Sequence, residues 1–520
     1  MKKEIHKSLR FFSAYASAFT IGLTALAAPN WVNAQSTNTF SGVFAGAANT
    51  SGYYNTFTGY YNGNSNTTGY QNTFSGAYAG VYNTLGSDNV FIGFRTGYQN
   101  TSGTANTFVG NDAGLNNTTA ASNTFFGNQS GYSTTTGEPN AFIGASAGYL
   151  NSTGNANVFI GPSAGYNNTT ASNNTFTGSY SGYGNSIGYS NVFNGTAAGH
   201  GNSTGSNNTF IGKDAGYMNS TGFGNVFTGQ GAGFNTNANN NTFTGQLSGY
   251  YNTTGTENIF TGYGAGYRNT TGSNNAFQGS RAGLLNTVGA YNTFVGAYAG
   301  NQNTIGMRNT YLGYNSGSNL SNDSQNVAIG YSTLVSGSNK LTIDNSNTLT
   351  PLIWGNFYTD SIRINGGLSV ARSVRAVSFV STSDRRLKEN VKPLQNALEG
   401  LGQLNGVTYN YKTNAPDGNP YPKGRQIGVI AQDVEKVFPE LVASEANGYK
   451  AVDYAKLTAV LIEAVKEQQK TIQALRAEAL SEKMAVKNQL SSLLEKQGKL
   501  EQLLLSQLGK KAGSERIARR

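Results

Sequence analysis

Polar and apolar positions alternate in short bursts from Asn38 to Leu334, and the bursts return every 17 residues. One unit reads Asn157-Val158-Phe159-Ile160-Gly161, then Pro162-Ser163-Ala164-Gly165, then the turn-like run Asn167-Asn168-Thr169-Thr170. Twelve units open with Asn between Asn38 and Asn225; after the loss of one residue, six more open between Asn241 and Asn326. Of these 18 units, 16 carry Phe at the third position, Tyr311 and Ala328 being the exceptions. Gly holds the fifth position throughout, and the ninth in every unit but the last, where Leu334 stands.

A strict period this short is too small for a helix pair and predicts a β-solenoid with one coil per unit. Alternation about the Phe places it on one face of a short strand, and the eighth-position Ala or Ser on the inner face of a second. The glycines and the Asn-Thr-Thr-Gly runs serve the bends. Stacked coils should align the Phe rings in a column and the opening Asn residues in an amide ladder, about 4.8 Å per coil and on the order of 85 Å overall. So thin a roll is expected to leave one wall open for neighbouring copies to complete, with a closed trimer as the natural assembly.

Beyond Leu334 the pattern changes. Leu341–Asp344, Ile362–Ile364 and Leu368–Val370 alternate like short strands, so 335–382 reads as a β-rich neck. From Tyr454 to about Leu508 the spacing becomes helical, with Leu461, Val465, Gln468, Ile472, Leu475 and Ala479 at 4-3 steps. Charges of both signs flank that seam, which predicts a coiled coil over 456–508 and a solvated basic tail over 509–520.

Composition sharpens this picture. Charged residues are 12% of the chain, about half the usual share, and 68 residues are glycine. The net charge of +10 is not a nucleic-acid footprint: 383–520 nets +6 across mixed-sign helical sequence, and no aromatic stacking platform accompanies it. Met1-Lys2-Lys3, an apolar stretch from Phe11 to about Ala28, and Val32-Asn33-Ala34 predict a signal peptide over 1–34 and export to the cell surface or medium. With no cysteine, and His200 as the one histidine after that leader, metal sites and His-based triads are not expected, and no cofactor is implied. The seven acidic residues of the repeats are scattered, which speaks against the paired carboxylates of a glycan-cutting spike.

Two resemblances follow. Asn326-Val327-Ala328-Ile329-Gly330 resembles the strand motif of the head repeats of trimeric autotransporter adhesins, which implies a trimeric β-roll and a cell-surface, matrix or glycan ligand. Ser383-Asp384-Arg385-Arg386-Leu387-Lys388, Gly428–Val434, Phe438-Pro439-Glu440-Leu441 and Val452-Asp453-Tyr454 resemble the intramolecular chaperone auto-processing domain that ends phage tail spikes and endosialidases. That resemblance implies a chaperone domain over 383–455 that cuts the Thr382–Ser383 bond once, with Ser383 as nucleophile and Lys388 as base. A lysine can take the proton only if its pKa falls well below about 10.4, which burial and the cations Arg385 and Arg386 would favour and Asp384 would oppose. Ser383 or Asp384 also has the chemistry of an N-cap for a helix opening at Arg385.

The expected architecture is therefore mainly β: a 17-residue-repeat solenoid over 35–334, a β-rich neck, a small α+β chaperone domain and a C-terminal coiled-coil helix. The expected function is a secreted or cell-surface trimeric fibre that releases its chaperone by autoproteolysis. The alternatives are a phage-type tail spike that degrades glycans and an uncleaved trimeric scaffold.

Overall fold

The computed structural model describes residues 37–319, 322–368, 370, 374–412, 421–444 and 448–517, and divides into two compact units, Met1–Gly367 and Leu368–Arg520. The expected signal peptide and the last three residues of the tail lie outside the described residues.

In the first unit each repeat supplies one strand, from β1 (Thr39–Ser41) to β18 (Val327–Ile329). All are parallel and in register, so Phe159 lies between Phe142 and Phe176. The expected second strand per coil is replaced by a turn, and the reason is local. Ser163 (φ +54°) and Gly165 (φ +59°) are both left-handed on either side of Ala164, which no extended strand accommodates. Backbone bonds there point alternately to the two neighbouring coils: Ser163 N–H donates to the Ala145 carbonyl and Gly165 N–H to that of Ser181, each at 2.9 Å. Ala164 nonetheless faces inward and is fully buried.

The core is a column of aromatic rings. Phe159 and Phe176 stack with centroids 4.9 Å apart and planes within 7°, and the same arrangement runs from Phe40 to Tyr311. From Phe57 onward these rings are buried by their own chain, so the roll closes its core without a neighbour. The expectation of a wall completed by other copies is corrected accordingly, because the Phe and Ala of one coil fill its narrow interior. Each buried ring contributes about 2–3 kcal/mol of transfer free energy.

Two amide ladders line the bends. At the first position, Asn157 Nδ2 donates to the Ala171 carbonyl at 2.8 Å, and its Oδ1 accepts from Asn174 N–H at 3.0 Å. At the twelfth, Asn168 Nδ2 donates to Asn151 Oδ1 at 2.7 Å. Beside this second ladder runs a row of hydroxyls, such as Thr169 Oγ1 donating to the Ser186 carbonyl at 3.0 Å. Buried amides satisfied in this way cost no unpaired polar group.

The neck switches the sheet from parallel to antiparallel. Strand β19 (Lys340–Ile343) is parallel to β18, whereas β20 (Ile353–Asn356) and β21 (Ser361–Ile364) return antiparallel. Leu368 and Val370, read as strand, carry no regular structure, and β20 was not anticipated.

In the second unit, α1 (Ala397–Gly402), β22 (Val407–Tyr409), β23 (Gln426–Gly428), α2 (Ala431–Val437), β24 (Val442–Ser444) and β25 (Lys450–Val452) lead into α3 (Tyr454–Ile517). Helix α3 passes through Gly498 and beyond Leu508, the expected end of the coiled coil, and at about 1.5 Å per residue is on the order of 95 Å long.

Candidate processing site

The string Ser383–Lys388 lies within the second unit. Arg385–Leu387 form a single 3-10 turn, and Asp384 caps it, its Oδ1 accepting from Arg386 N–H at 2.8 Å. Residues five apart are not neighbours on an α-helix, yet this tighter turn followed by an extended Lys388 (φ −122°) folds the lysine back. Lys388 Nζ donates to Ser383 Oγ at 2.7 Å. Both side chains are exposed in the single chain.

Asp384 faces elsewhere. Its carboxylate holds the Arg386 guanidinium, Nη2 to Oδ2 at 2.7 Å, and that pairing, with the Arg386 backbone bond, keeps its pKa below the ordinary carboxylate value. The capping role and the Ser–Lys contact therefore coexist, with Asp384 serving the turn and Ser383 left to the lysine. The two atoms are within hydrogen-bond reach with the lysine as donor; to take the hydroxyl proton the lysine must be the neutral amine and the direction of this bond must reverse.

The other three strings form a core instead. Val434, Phe438 and Leu441 pack with Ala397 of α1 and with Val460 and Ala464 of α3. Gly428 ends β23 and leads into α2, as read, and Val452 pairs with Val442 across β24 and β25. Asp453 Oδ1 accepts from Ala455 N–H and Lys456 N–H, both at 3.1 Å, capping α3. Tyr454 turns its hydroxyl back to Val429 N–H at 3.3 Å. Lys450 forms an ion pair with Glu435.

Sequence reading missed Glu467. Its carboxylate accepts from Ala397 N–H at 3.2 Å and Leu398 N–H at 2.8 Å, tying α1 to α3. Seventy residues separate the partners, and one Glu among many on a charged helix carries no signal of its own.

Only the first turns of α3 are packed. Leu461, Val465, Leu475, Leu490, Leu493, Leu500, Leu504 and Leu508 are all exposed, although they hold the apolar stripe. Among the described residues, no helix is long and apolar enough to cross a membrane.

Residues 383–443 match the S74 peptidase family, described as the chaperone of endosialidase. The match begins at Ser383 itself and spans the Ser–Lys turn, α1 and α2. The chain is also similar to phage fibres. It is 32% identical over 135 residues to the long tail fiber protein Gp37 of Enterobacteria phage T2, covering 24% of this chain and 10% of that protein. To Gp37 of Enterobacteria phage K3 it is 33% identical over 124 residues, covering 22% and 9%. To Gp37 of Enterobacteria phage M1 it is 35% identical over 98 residues, covering 18% and 38%. The chain thus spans about a tenth of the T2 and K3 relatives. The match to the chaperone-of-endosialidase model agrees with the recognition drawn from the Ser383–Lys388 and Gly428–Val434 strings.

Proposed function

We propose that this chain is an exported, trimeric surface fibre, and that its chaperone-of-endosialidase segment guides assembly and then severs the Thr382–Ser383 bond. The observation that carries this reading is the 2.7 Å contact from Lys388 Nζ to Ser383 Oγ, at the first residue of the family match. Ser383 Oγ attacks the Thr382 carbonyl carbon while Lys388 takes the hydroxyl proton. The C–N bond breaks as the Ser383 amine takes the proton back from Lys388, leaving Thr382 as an ester on Ser383 Oγ. Water then cleaves that ester to free the Thr382 carboxylate and restore the hydroxyl.

Two surfaces support assembly of copies. One is the exposed leucine stripe of α3, which lacks the partner that a coiled-coil seam requires. The other is the outer face of the strands. No charged residue occupies the second or fourth position in any of the 18 units, and Val158, Ile160, Val192, Ile211 and Ile259 stand exposed there. Assembly would also bury the exposed Ser383–Lys388 pair, coupling the cut to a completed fibre. The apolar leader before Gln35 supports export, and the adhesive surface is the repeat region left after the cut.

The phage relatives favour a second reading, a phage-type fibre with the same self-cutting end and no leader function.

Refolding tests the chaperone role. After a cycle through guanidinium chloride, the uncut Ser383→Ala chain is expected to regain its fibre, while the processed parent, its guide gone, is not. Equal recovery of both would remove the claim that the severed segment directs folding.

A further inference from the structure

The one break in the period changes how neighbouring coils are joined. The unit Asn225–Asn240 lacks one loop residue. In the coil before it, Ser203 and Thr204 N–H donate to the Ser220 carbonyl at 3.0 and 2.9 Å. At the break a side chain takes over: Asn237 Oδ1 accepts from Ser220 N–H at 3.1 Å and Thr221 N–H at 2.8 Å, while Asn239 Oδ1 accepts from Phe223 N–H at 3.0 Å as Asn155 Oδ1 does from Glu138 N–H in an unbroken coil. The missing residue leaves a groove of about 820 Å³, lined by Met218, Tyr251, Thr253, Tyr267, Arg268 and Thr270 together with the two loop asparagines Asn235 and Asn237.

A second departure lies beside it. The seventh position carries a side chain in every unit except those of Gly231 and Gly264. Gly264 opens a smaller groove of about 300 Å³ on the other flank of Tyr267 and Arg268, walled by Tyr263, Arg281 and Leu284. Tyr267 and Arg268 thus form a ridge between two grooves.

The chemistry of this ridge is specific. No Asp or Glu lines either groove, whereas Arg268 lines both and Arg281 one. Arg268 donates its backbone N–H to the Leu284 carbonyl at 3.0 Å, while its guanidinium makes no hydrogen bond or ion pair among the described residues. Arg281 donates to the Tyr298 hydroxyl at 3.0 Å and lies over the Tyr263 ring. Some outer tyrosines hide their faces in a second stack, as Tyr149 and Tyr166 do at 4.9 Å and 5°. Tyr251 stands outside that stack, in which Tyr250 holds the place, at 77° to Tyr250 and 82° to Tyr267, and is 43% exposed. Thr253 and Thr270 commit their hydroxyl protons to the Thr270 and Thr287 carbonyls, both at 3.0 Å, so their oxygens remain as acceptors for an incoming hydroxyl.

We infer that the Tyr267–Arg268 ridge and its grooves bind an acidic oligosaccharide. Its pyranose ring lies against Tyr251, its hydroxyls donate to the threonine row, and its carboxylates meet Arg268 and Arg281. The inference rests on the adhesive reading of the repeat region and gives it a place and a ligand class.

The test is binding of the full-length protein to an array of acidic and neutral oligosaccharides that also carries a polyglutamate peptide. Binding confined to acidic sugars is expected. It should fall at least tenfold in Arg268→Gln and in a variant with Thr inserted after Asn237, which restores the 17-residue period and refills the wall. Arg95→Gln, on the same side of other coils and paired with Asp112, should bind as the parent does. Melting curves equal to the parent's establish that the variants fold. Equal binding to neutral sugars, binding to polyglutamate alone, or full binding by Arg268→Gln and the insertion variant overturns the site. In the last case sugar binding elsewhere would leave the adhesive reading standing, whereas no capture by any sugar removes both.

Discussion

Gly165 lies directly against the ring of Phe159, and a Cβ placed on it would come within 2.5 Å of the ring edge. The same pairing of third-position ring and ninth-position glycine repeats up the column, including Tyr311 with Gly317. The last unit relaxes it from both sides: Ala328 replaces the ring, Leu334 replaces the glycine, and Val335 joins the core. Gly165→Ala should therefore cost about 3 kcal/mol, combining a left-handed alanine with an overpacked core. Phe159→Ala together with Gly165→Ala should cost less than the sum of the single changes. Denaturant melts of the uncut Ser383→Ala background measure both, and strict additivity would contradict the pairing.

The second amide ladder is interrupted twice within its run of asparagines, before it ends at Asn303. Where Thr134 and Thr236 replace its asparagines, their hydroxyls and the oxygens of Asn117 and Asn219 one coil earlier are buried without partners. Thr134→Asn should return a donor to Asn117 Oδ1 and stabilise the solenoid by about 1–2 kcal/mol. A lower melting midpoint would show that the pocket cannot take the larger side chain.

His200 occupies a tyrosine position in the outer stack, between Tyr183 and Tyr217 at 5.2 and 4.8 Å. Burial lowers its pKa from 6.5, with Asp214 opposing, so the folded chain prefers the neutral ring. The unfolded chain then binds more protons below pH 6.5, and the stabilising contribution is lost as pH falls beneath that value. His200→Tyr should flatten this part of the stability–pH curve, and an unchanged slope would place its origin elsewhere.

The absence of cysteine makes single reporters clean. Spin labels at Ile160→Cys, on the strand face, should give shorter distances between copies than labels at Ile187→Cys, on the loop face. The reverse order would place the interface on the loops, and no signal between copies at either site would contradict assembly.

The solenoid was legible because every coil repeats the same solution. Phe at the third position marks the core, and Gly at the fifth and ninth marks backbone that approaches its neighbours. The single strand per coil was not legible, because the left-handed seventh position is filled by Ser163, Asp112 or Tyr298, none of which signals a turn by itself. The twelfth-position ladder was visible as recurring Asn but hidden within turn-like runs. At the processing site, Ser383 and Lys388 were readable through their resemblance. That Asp384 would turn to Arg386 depends on the tight turn between them, which residue identity alone does not settle.

The most direct test of the central claim is the intact mass of the chain expressed from Gln35 onward, beside Ser383→Ala and Lys388→Met. The parent should yield two fragments divided at Thr382–Ser383, the second beginning Ser-Asp-Arg-Arg, and both variants should stay whole. A parent that assembles as a trimer yet keeps its full mass would contradict self-cleavage and leave a permanently clamped fibre.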